Sequence, residues 1–138
     1  MCRFRLCCML LAALLLVSCS STEDLGIVRS QVTPFREHMA AERFDQIYAD
    51  AADELKKATS EKQFTDFLSA VNRKLGGVKD AKDSGWNIGF RPTNTLVTLS
   101  QKTEFERGSG VETFVYRIAG KEAKLLGYHL NSNDLIIN

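Results

Sequence analysis

The spacing of apolar residues changes along this chain and divides it into distinct parts. Met9 to Val17 is an unbroken apolar run, whereas the later apolar positions are periodic. Ser60 with Gln63 matches a capping box, and Gly76 offers a helix stop, so these residues bound a predicted helix. Its apolar residues fall at i, i+3, i+4, i+7 and i+11 and share one face: Phe64, Phe67, Leu68, Val71 and Leu75.

A second amphipathic helix is predicted for residues 34–58. Pro34 suits the first helical position after a Thr33 cap, and the pattern is compatible with an interruption near Glu42. The apolar stripe of this helix contains Phe35, Met39, Phe44, Tyr48, Ala51 or Ala52, and Leu55.

Strand-forming residues dominate from Trp86 onward. The polar, turn-rich residues 77–85 predict a loop. After it, glycine-containing turns separate four predicted strands, near residues 86–91, 94–105, 111–118 and 123–130. Because the turns are short, neighbouring strands should pair antiparallel.

Alternation with a period of two sorts the faces of these strands. The predicted core positions are Val97, Leu99 and Phe105, then Glu112, Phe114, Tyr116 and Ile118, then Leu126, Tyr128 and Leu130. The helices should cover this face of the sheet and leave the other face exposed to solvent. The predicted fold class is therefore α+β, with two N-terminal helices packed on a four-stranded antiparallel meander.

The N-terminal apolar run predicts a signal peptide over residues 1–18. Arg3 and Arg5 precede the run, and polar residues end it well short of the roughly 20 apolar residues that a membrane-spanning helix needs. The bacterial lipobox is matched at all four positions by Leu16, Val17, Ser18 and Cys19. This resemblance implies cleavage before Cys19 and attachment of a diacylglyceryl group to its thiol. The alternative is an ordinary secretory signal that leaves an incidental cysteine.

Cysteine usage and charge bear on this choice. All four cysteines lie within the first nineteen residues, so the mature chain keeps Cys19 with no partner for a disulfide, and lipidation would remove that free thiol. Loss of Arg3 and Arg5 changes the formal net charge from +1 to −1, so no bulk attraction to nucleic acid is expected. The expected membrane attachment is the lipid on Cys19.

The remaining chain is expected to hold a tether and one domain. Residues 19–33 are mostly polar and predict a lipidated cysteine with a flexible tether, although Leu25, Ile27 and Val28 could instead dock on the domain. Residues 34–138, with an ordinary globular composition, form the predicted domain. The lipoprotein resemblance also implies a location: Ser20 stands where an aspartate would favour the inner membrane, so the family pattern suggests the outer membrane, facing the periplasm, if the host is Gram-negative.

The search for chemistry finds few candidates. His38 and His129 are the only imidazoles, and no nucleotide, serine-hydrolase or metalloprotease motif occurs, so we expect no enzyme, no metal and no cofactor. Possible ligand or partner contacts are Trp86, Tyr116 and Tyr128, each with a structural alternative as a core aromatic. Strand parity places His129 opposite Tyr128, which argues against an acid–base pair there.

Three segments together resemble a known group. They are the helix ending in Leu75-Gly76, the Glu112-x-Phe114-x-Tyr116 strand and the closing Leu126-Gly127-Tyr128-x-Leu130 strand. They look like small bacterial lipoproteins that carry a cystatin-like α+β domain of unknown function, over about residues 35–131. The wider roll superfamily includes isomerases and dehydratases as well as binding modules, so the resemblance implies a fold and not an activity.

Three functions follow as hypotheses. The first is a non-enzymatic envelope lipoprotein that binds another envelope component. The second is a carrier or sensor of a small apolar ligand held between helices and sheet. The third is a roll-fold isomerase or dehydratase that uses Tyr116 or Tyr128. The C-terminal residues 131–138 could dock on the domain or offer a short strand to a partner.

Overall fold

A computed structural model describes residues 19–137, so the predicted signal peptide lies outside the described residues. The elements in chain order are α1 (Cys19–Ala40), α2 (Phe44–Asp50), α3 (Asp53–Ala58), α4 (Glu61–Leu75), β1 (Val78–Phe90), β2 (Thr95–Phe105), β3 (Gly108–Ala119), β4 (Glu122–Asn131) and α5 (Asp134–Ile137). Within the described range, no helix is long and apolar enough to cross a membrane.

The α+β fold expected from the sequence is confirmed. Four strands form one antiparallel sheet in the order β1-β2-β3-β4, and helices precede it in the chain. The core joins helix residues to one face of the sheet, and the predicted face of β3 is buried there. On the neighbouring β2, Val97, Leu99 and Phe105 are buried as predicted.

Helix α4 forms where its local signals place it. The Ser60 hydroxyl accepts a hydrogen bond from the Gln63 backbone N–H, and the Gln63 side-chain oxygen accepts one from the Ser60 N–H, so the capping box is complete. Gly76 ends the helix at φ 76°, a conformation that a side chain rarely adopts. Phe64, Leu68, Val71 and Leu75 are buried between these ends.

Helix α1 corrects the expectation of a flexible tether over residues 19–33. The chain is helical from Cys19, and Leu25, Val28 and Val32 are buried in the core. These residues lie three and four positions apart and so form an apolar stripe that the domain covers, as the docking alternative requires. Pro34 lies inside this helix and does not start it, contrary to prediction.

The predicted interruption near Glu42 is present. Glu42 has φ 56°, and after it the chain forms the short helices α2 and α3 instead of one helix to residue 58. The Ala52 N–H between them donates to the Leu125 carbonyl of β4 at 2.9 Å, which fixes this segment to the sheet. Ile47 and Leu55 are buried on it.

Strand β1 begins eight residues before the first predicted strand, so the loop expected over 77–85 is wrong. Its polar residues pair with β2, for example Asp83 with Gln101, across register shifts between Val78 and Asp80 and between Asp83 and Gly85. β1 is an edge strand, and its side chains are largely exposed. A polar sequence therefore forms a strand here because β2 supplies hydrogen-bond partners for its backbone.

A bulge changes the predicted core face of β4. Val115 pairs with Gly127 and Tyr116 pairs with Leu125, which leaves Leu126 as the extra residue. The buried residues are consequently Leu125 and Tyr128, and not Leu126 and Tyr128 as a strict period of two predicts. His129 is exposed, opposite buried Tyr128, as predicted.

The C-terminal segment docks in part. The Asp134 carboxylate accepts a hydrogen bond from the Ser109 N–H at 2.9 Å, and the Lys74 ammonium donates to the Leu135 carbonyl at 2.9 Å. Ile136 and Ile137 nonetheless remain exposed.

Candidate functional site

A cavity of about 420 Å³ opens between α1, α2 and the turn that joins β3 to β4. Its apolar lining comes from three buried residues on three different elements, Phe35, Ile47 and Leu125. The volume falls within the usual range of small-molecule sites, about 300 to 1,000 Å³. The bulge in β4 contributes to this shape because it turns Leu125 inward beside Tyr116.

Tyr116 is the principal polar residue of the cavity. It lies on the core face of β3 and is only 4% exposed. Its hydroxyl has no hydrogen-bond partner among residues 21–137 and is not one of the fully buried polar atoms, so solvent in the cavity can reach it. Burial raises the pKa of Tyr116 above its ordinary value, so the hydroxyl remains a neutral donor at physiological pH.

His38 adds a second polar atom without a partner. It lines the same cavity from the last turn of α1, and its Nδ1 is buried without a hydrogen bond within the described part of the chain. A buried polar atom that forms no hydrogen bond costs about 1 to 3 kcal/mol. Because solvent does not reach this nitrogen, a ligand in the cavity would form its hydrogen bond with the Tyr116 hydroxyl and not with Nδ1 of His38.

Charged residues of the β3–β4 turn line the cavity beside the apolar residues. Lys124 lies 3.4 Å from Glu122, whereas Lys121 has no ion pair among the residues described. Asp50 at the end of α2 is the other acid in the lining. The arrangement suits a ligand with an apolar body and a polar or anionic group.

A buried polar network occupies the core beside this cavity, centred on Glu112 of β3, which is 1% exposed. Its carboxylate accepts hydrogen bonds from the Arg36 guanidinium at 2.7 Å, the Thr103 hydroxyl at 2.6 Å and the Tyr128 hydroxyl at 2.7 Å. The donors come from α1, β2 and β4. The network therefore joins the first helix to three strands.

The network also keeps the Tyr128 hydroxyl protonated. Burial raises the pKa of Tyr128 well above its ordinary value, and the adjacent Glu112 carboxylate raises it further, against a smaller opposing effect of Arg36. The Tyr128 hydroxyl already donates to Glu112. It is a structural donor in this arrangement and not a free acid or base.

Further hydrogen bonds extend the network to the sheet edge. Arg36 also donates to the Gln101 side chain at 2.8 Å, and Gln101 donates to Asp83 at 2.9 Å. Arg29 of α1 contacts the other oxygen of Asp83 at 2.7 Å. Burial alone would raise the pKa of Asp83, but the hydrogen bonds from Gln101 and Arg29 and the charge of Arg29 together lower it.

A smaller cavity of about 260 Å³ adjoins the other side of the network, with Glu112, Arg36, Met39 and Phe105 in its lining. Both polar residues in that set already bond to each other. This cavity therefore offers a ligand mostly apolar surface.

The three aromatic residues predicted as contacts do not form one site. Tyr116 lines the larger cavity, Tyr128 lies in the buried network, and Trp86 lies on the edge strand with 61% of its surface exposed. Trp86 is thus not a core aromatic, which was the structural alternative expected from the sequence. Within residues 19–137 no cluster of histidine, cysteine, aspartate and glutamate could hold a metal ion.

Sequence reasoning named His38 as one of two imidazoles but assigned it no site, and it missed the network around Glu112. A signal for the network was present, since Glu112 shares the core face of β3 with Phe114 and Tyr116, and a carboxylate there needs partners. The partner Arg36 lies 76 positions away in the sequence and carries no local signal.

Comparisons with known proteins add little to this geometry. No protein-family model matches the chain, and no curated protein matches it. Among solved structures, the chain is similar to Bdellovibrio bacteriovorus Bd1075, with 18% identity and a TM-score of 0.42 over 75% of this chain and 40% of that one. The chain spans less than half the length of that protein. A likeness at this level carries no inference about function.

Proposed function

We propose that this chain is a lipid-anchored protein of the bacterial cell envelope whose domain binds a small amphipathic ligand in the Tyr116 cavity without catalysing a reaction. The observation that carries the binding role is the Tyr116 hydroxyl, which has no hydrogen-bond partner among the described residues, in a cavity of about 420 Å³ lined by apolar and charged side chains. The lipobox ending at Cys19 supports the anchor.

The cavity favours a small ligand over the other binding role expected from the sequence, a complex with an envelope protein. A protein partner would bury a broad, exposed surface, whereas this cavity lies between elements of the domain itself. The ligand expected here has an apolar body against Phe35, Ile47 and Leu125. It has an acceptor for the Tyr116 hydroxyl and, near Lys121, a negative charge.

An isomerase or dehydratase role has less support. Such chemistry needs a group that exchanges a proton near neutral pH. The pKa of Tyr116 is raised by burial, and the Tyr128 hydroxyl is already bonded to Glu112, so neither phenol suits that task.

Binding is tested with octanoate as an anionic amphiphile and octanol as its neutral counterpart, by calorimetry on the purified protein. We expect octanoate to bind more tightly, and Tyr116→Phe to weaken its binding about 2- to 10-fold through loss of one hydrogen bond. Tyr48→Phe is the matched control, because the Tyr48 hydroxyl donates to the Thr59 carbonyl outside the cavity. Equal effects of the two substitutions, or no binding of either probe, would count against the proposal.

The anchor is tested separately by growth with labelled palmitate. Label should appear on the wild-type chain and be absent from Cys19→Ser. Label retained in Cys19→Ser would show attachment elsewhere and contradict the lipobox assignment.

A further inference from the structure

Two aromatic side chains on the edge strand are exposed although they lie on the core face of the sheet. Trp86 and Phe90 are 61% and 65% exposed, and Ile88 between them packs against the core. All three share a face because their cross-strand partners on β2 are Leu99, Val97 and Thr95 in turn. The hydrophobic core therefore covers the centre of this apolar stripe, at Ile88, and leaves both ends exposed.

The course of α1 shows which edge of the sheet its N-terminus approaches. Arg29 contacts Asp83 on β1, and Arg36, two turns later, contacts Gln101 on β2 and Glu112 on β3. His38 then lines the cavity beside the β3–β4 turn. The Arg29–Asp83 contact thus places the N-terminal half of the helix beside the β1 edge, three residues before Trp86 on that strand.

The link between that edge and the proposed anchor is short and stiff. The helix is continuous from Cys19, and Leu25, six residues later, is the first buried side chain among residues 21–40. Six helical residues span about 9 Å. A lipid on Cys19 would hold the β1 edge close to the bilayer, whereas a flexible tether would have let the domain turn freely.

We propose that Trp86 and Phe90 insert into the headgroup region of the membrane that holds the lipid of Cys19, so that the domain is docked on the bilayer by its β1 edge. This inference rests on the proposed lipid anchor. Tryptophan and phenylalanine are suited to that region, where apolar rings leave water and the indole N–H keeps a polar partner. The bilayer is preferred to a protein as the occupant because the anchor and the exposed rings share one edge.

The chain provides its own probe, because Trp86 is its only tryptophan. The full chain is produced in bacteria, the lipid on Cys19 is verified by intact mass, and the protein is reconstituted into phosphatidylcholine vesicles. We expect the indole emission to be quenched by brominated phosphatidylcholine. We also expect a several-fold lower acrylamide quenching constant than for a tryptophan on the opposite edge.

The matched control moves the indole to that opposite edge. Trp86→Phe combined with His129→Trp places it at the exposed, solvent-facing position of β4. Its emission should remain sensitive to acrylamide and insensitive to brominated lipid in the same vesicles. Phe90→Lys, at an exposed position, should leave folding intact and reduce the quenching of Trp86 by brominated lipid.

Each result of these quenching experiments supports or overturns the docking proposal. If the lipid is present on Cys19 but acrylamide quenches Trp86 as strongly as the control indole, membrane docking is overturned. The lipid anchor is then unaffected. Protection of Trp86 without quenching by brominated lipid indicates a protein contact, such as a second copy of the chain, and also overturns it. Absence of lipid from Cys19 overturns the anchor itself and this inference with it, and the intact mass separates that failure from the others.

Discussion

The guanidinium of Arg36 in α1 lies 2.7 Å from the buried carboxylate of Glu112 in β3. The pair joins the helix layer to the sheet at the centre of the domain, and Thr103 and Tyr128 complete the hydrogen bonding of the carboxylate. Arg36 is partly exposed, whereas Glu112 is almost fully buried. Removing one partner should therefore cost far more than removing both.

Arg36→Leu should destabilise the domain by about 3 to 5 kcal/mol, because it leaves Glu112 charged and buried without its cation. The double variant Arg36→Leu/Glu112→Leu should recover most of that loss. Urea denaturation measures both. Lys62→Ala is the control, since its pair with Asp66 is exposed and should be worth less than about 1 kcal/mol. Equal losses for Arg36→Leu and Lys62→Ala would disprove a structural role of the buried pair.

Stability should fall steeply at alkaline pH. Folding raises the pKa of Tyr116 and of Tyr128, so the folded state holds these protons more tightly than the unfolded state does. Their contribution is fully present below the unfolded pKa of about 10 and is lost as pH rises toward the folded values. Denaturation measured between pH 8 and pH 11 should show this loss of stability. The loss should be smaller in the Tyr116→Phe variant. A pH dependence unchanged by that substitution would contradict the assignment.

The docked start of α1 predicts that Leu25→Ala destabilises the domain by about 2 to 3 kcal/mol, because a buried leucine is truncated. Thr33→Ala, at an exposed position in the same helix, should change stability by less than about 0.5 kcal/mol. Thermal unfolding of both variants gives the comparison. If Leu25→Ala behaved like Thr33→Ala, residues 19–33 would be a tether after all.

Two glycines should respond in opposite directions to alanine. Gly76→Ala should cost about 1 to 3 kcal/mol, because its φ of 76° with ψ of −163° is strained for other residues. Gly26→Ala, within α1 and with no atom near the added methyl group, should stabilise by about 0.5 to 1 kcal/mol. The unfolding midpoints of the two variants should lie on opposite sides of the wild type. Shifts of the same sign would contradict this reading of the backbone.

Local sequence signals determined those parts of the fold that depend on residues close together in the chain. The capping box at Ser60, the stop at Gly76 and the apolar stripe between them specified α4 without reference to the rest of the chain. Alternation along β3 likewise gave its buried face, from Glu112 to Ile118. Such features depend on residues a few positions apart, so a sequence states them directly.

Tertiary contacts decided where those signals were weak. The polar residues before Trp86 became strand β1 because β2 pairs with their backbone, and the segment after Cys19 became a docked helix because the core covers Leu25, Val28 and Val32. In β4 one bulge exchanged Leu126 for Leu125 at the core face. Propensity is a weak predictor in such segments, since distant partners supply the free energy.

The candidate site divides in the same way. The sequence by itself indicated the lipobox at Cys19 and placed Tyr116 and Glu112 on a core face. Only the tertiary structure brought His38 beside Tyr116 in a cavity, gave Glu112 its partner Arg36 and left Trp86 exposed at the edge of the sheet. The reason is physical: periodicity states which way a side chain points, whereas its neighbours depend on how distant segments pack against each other.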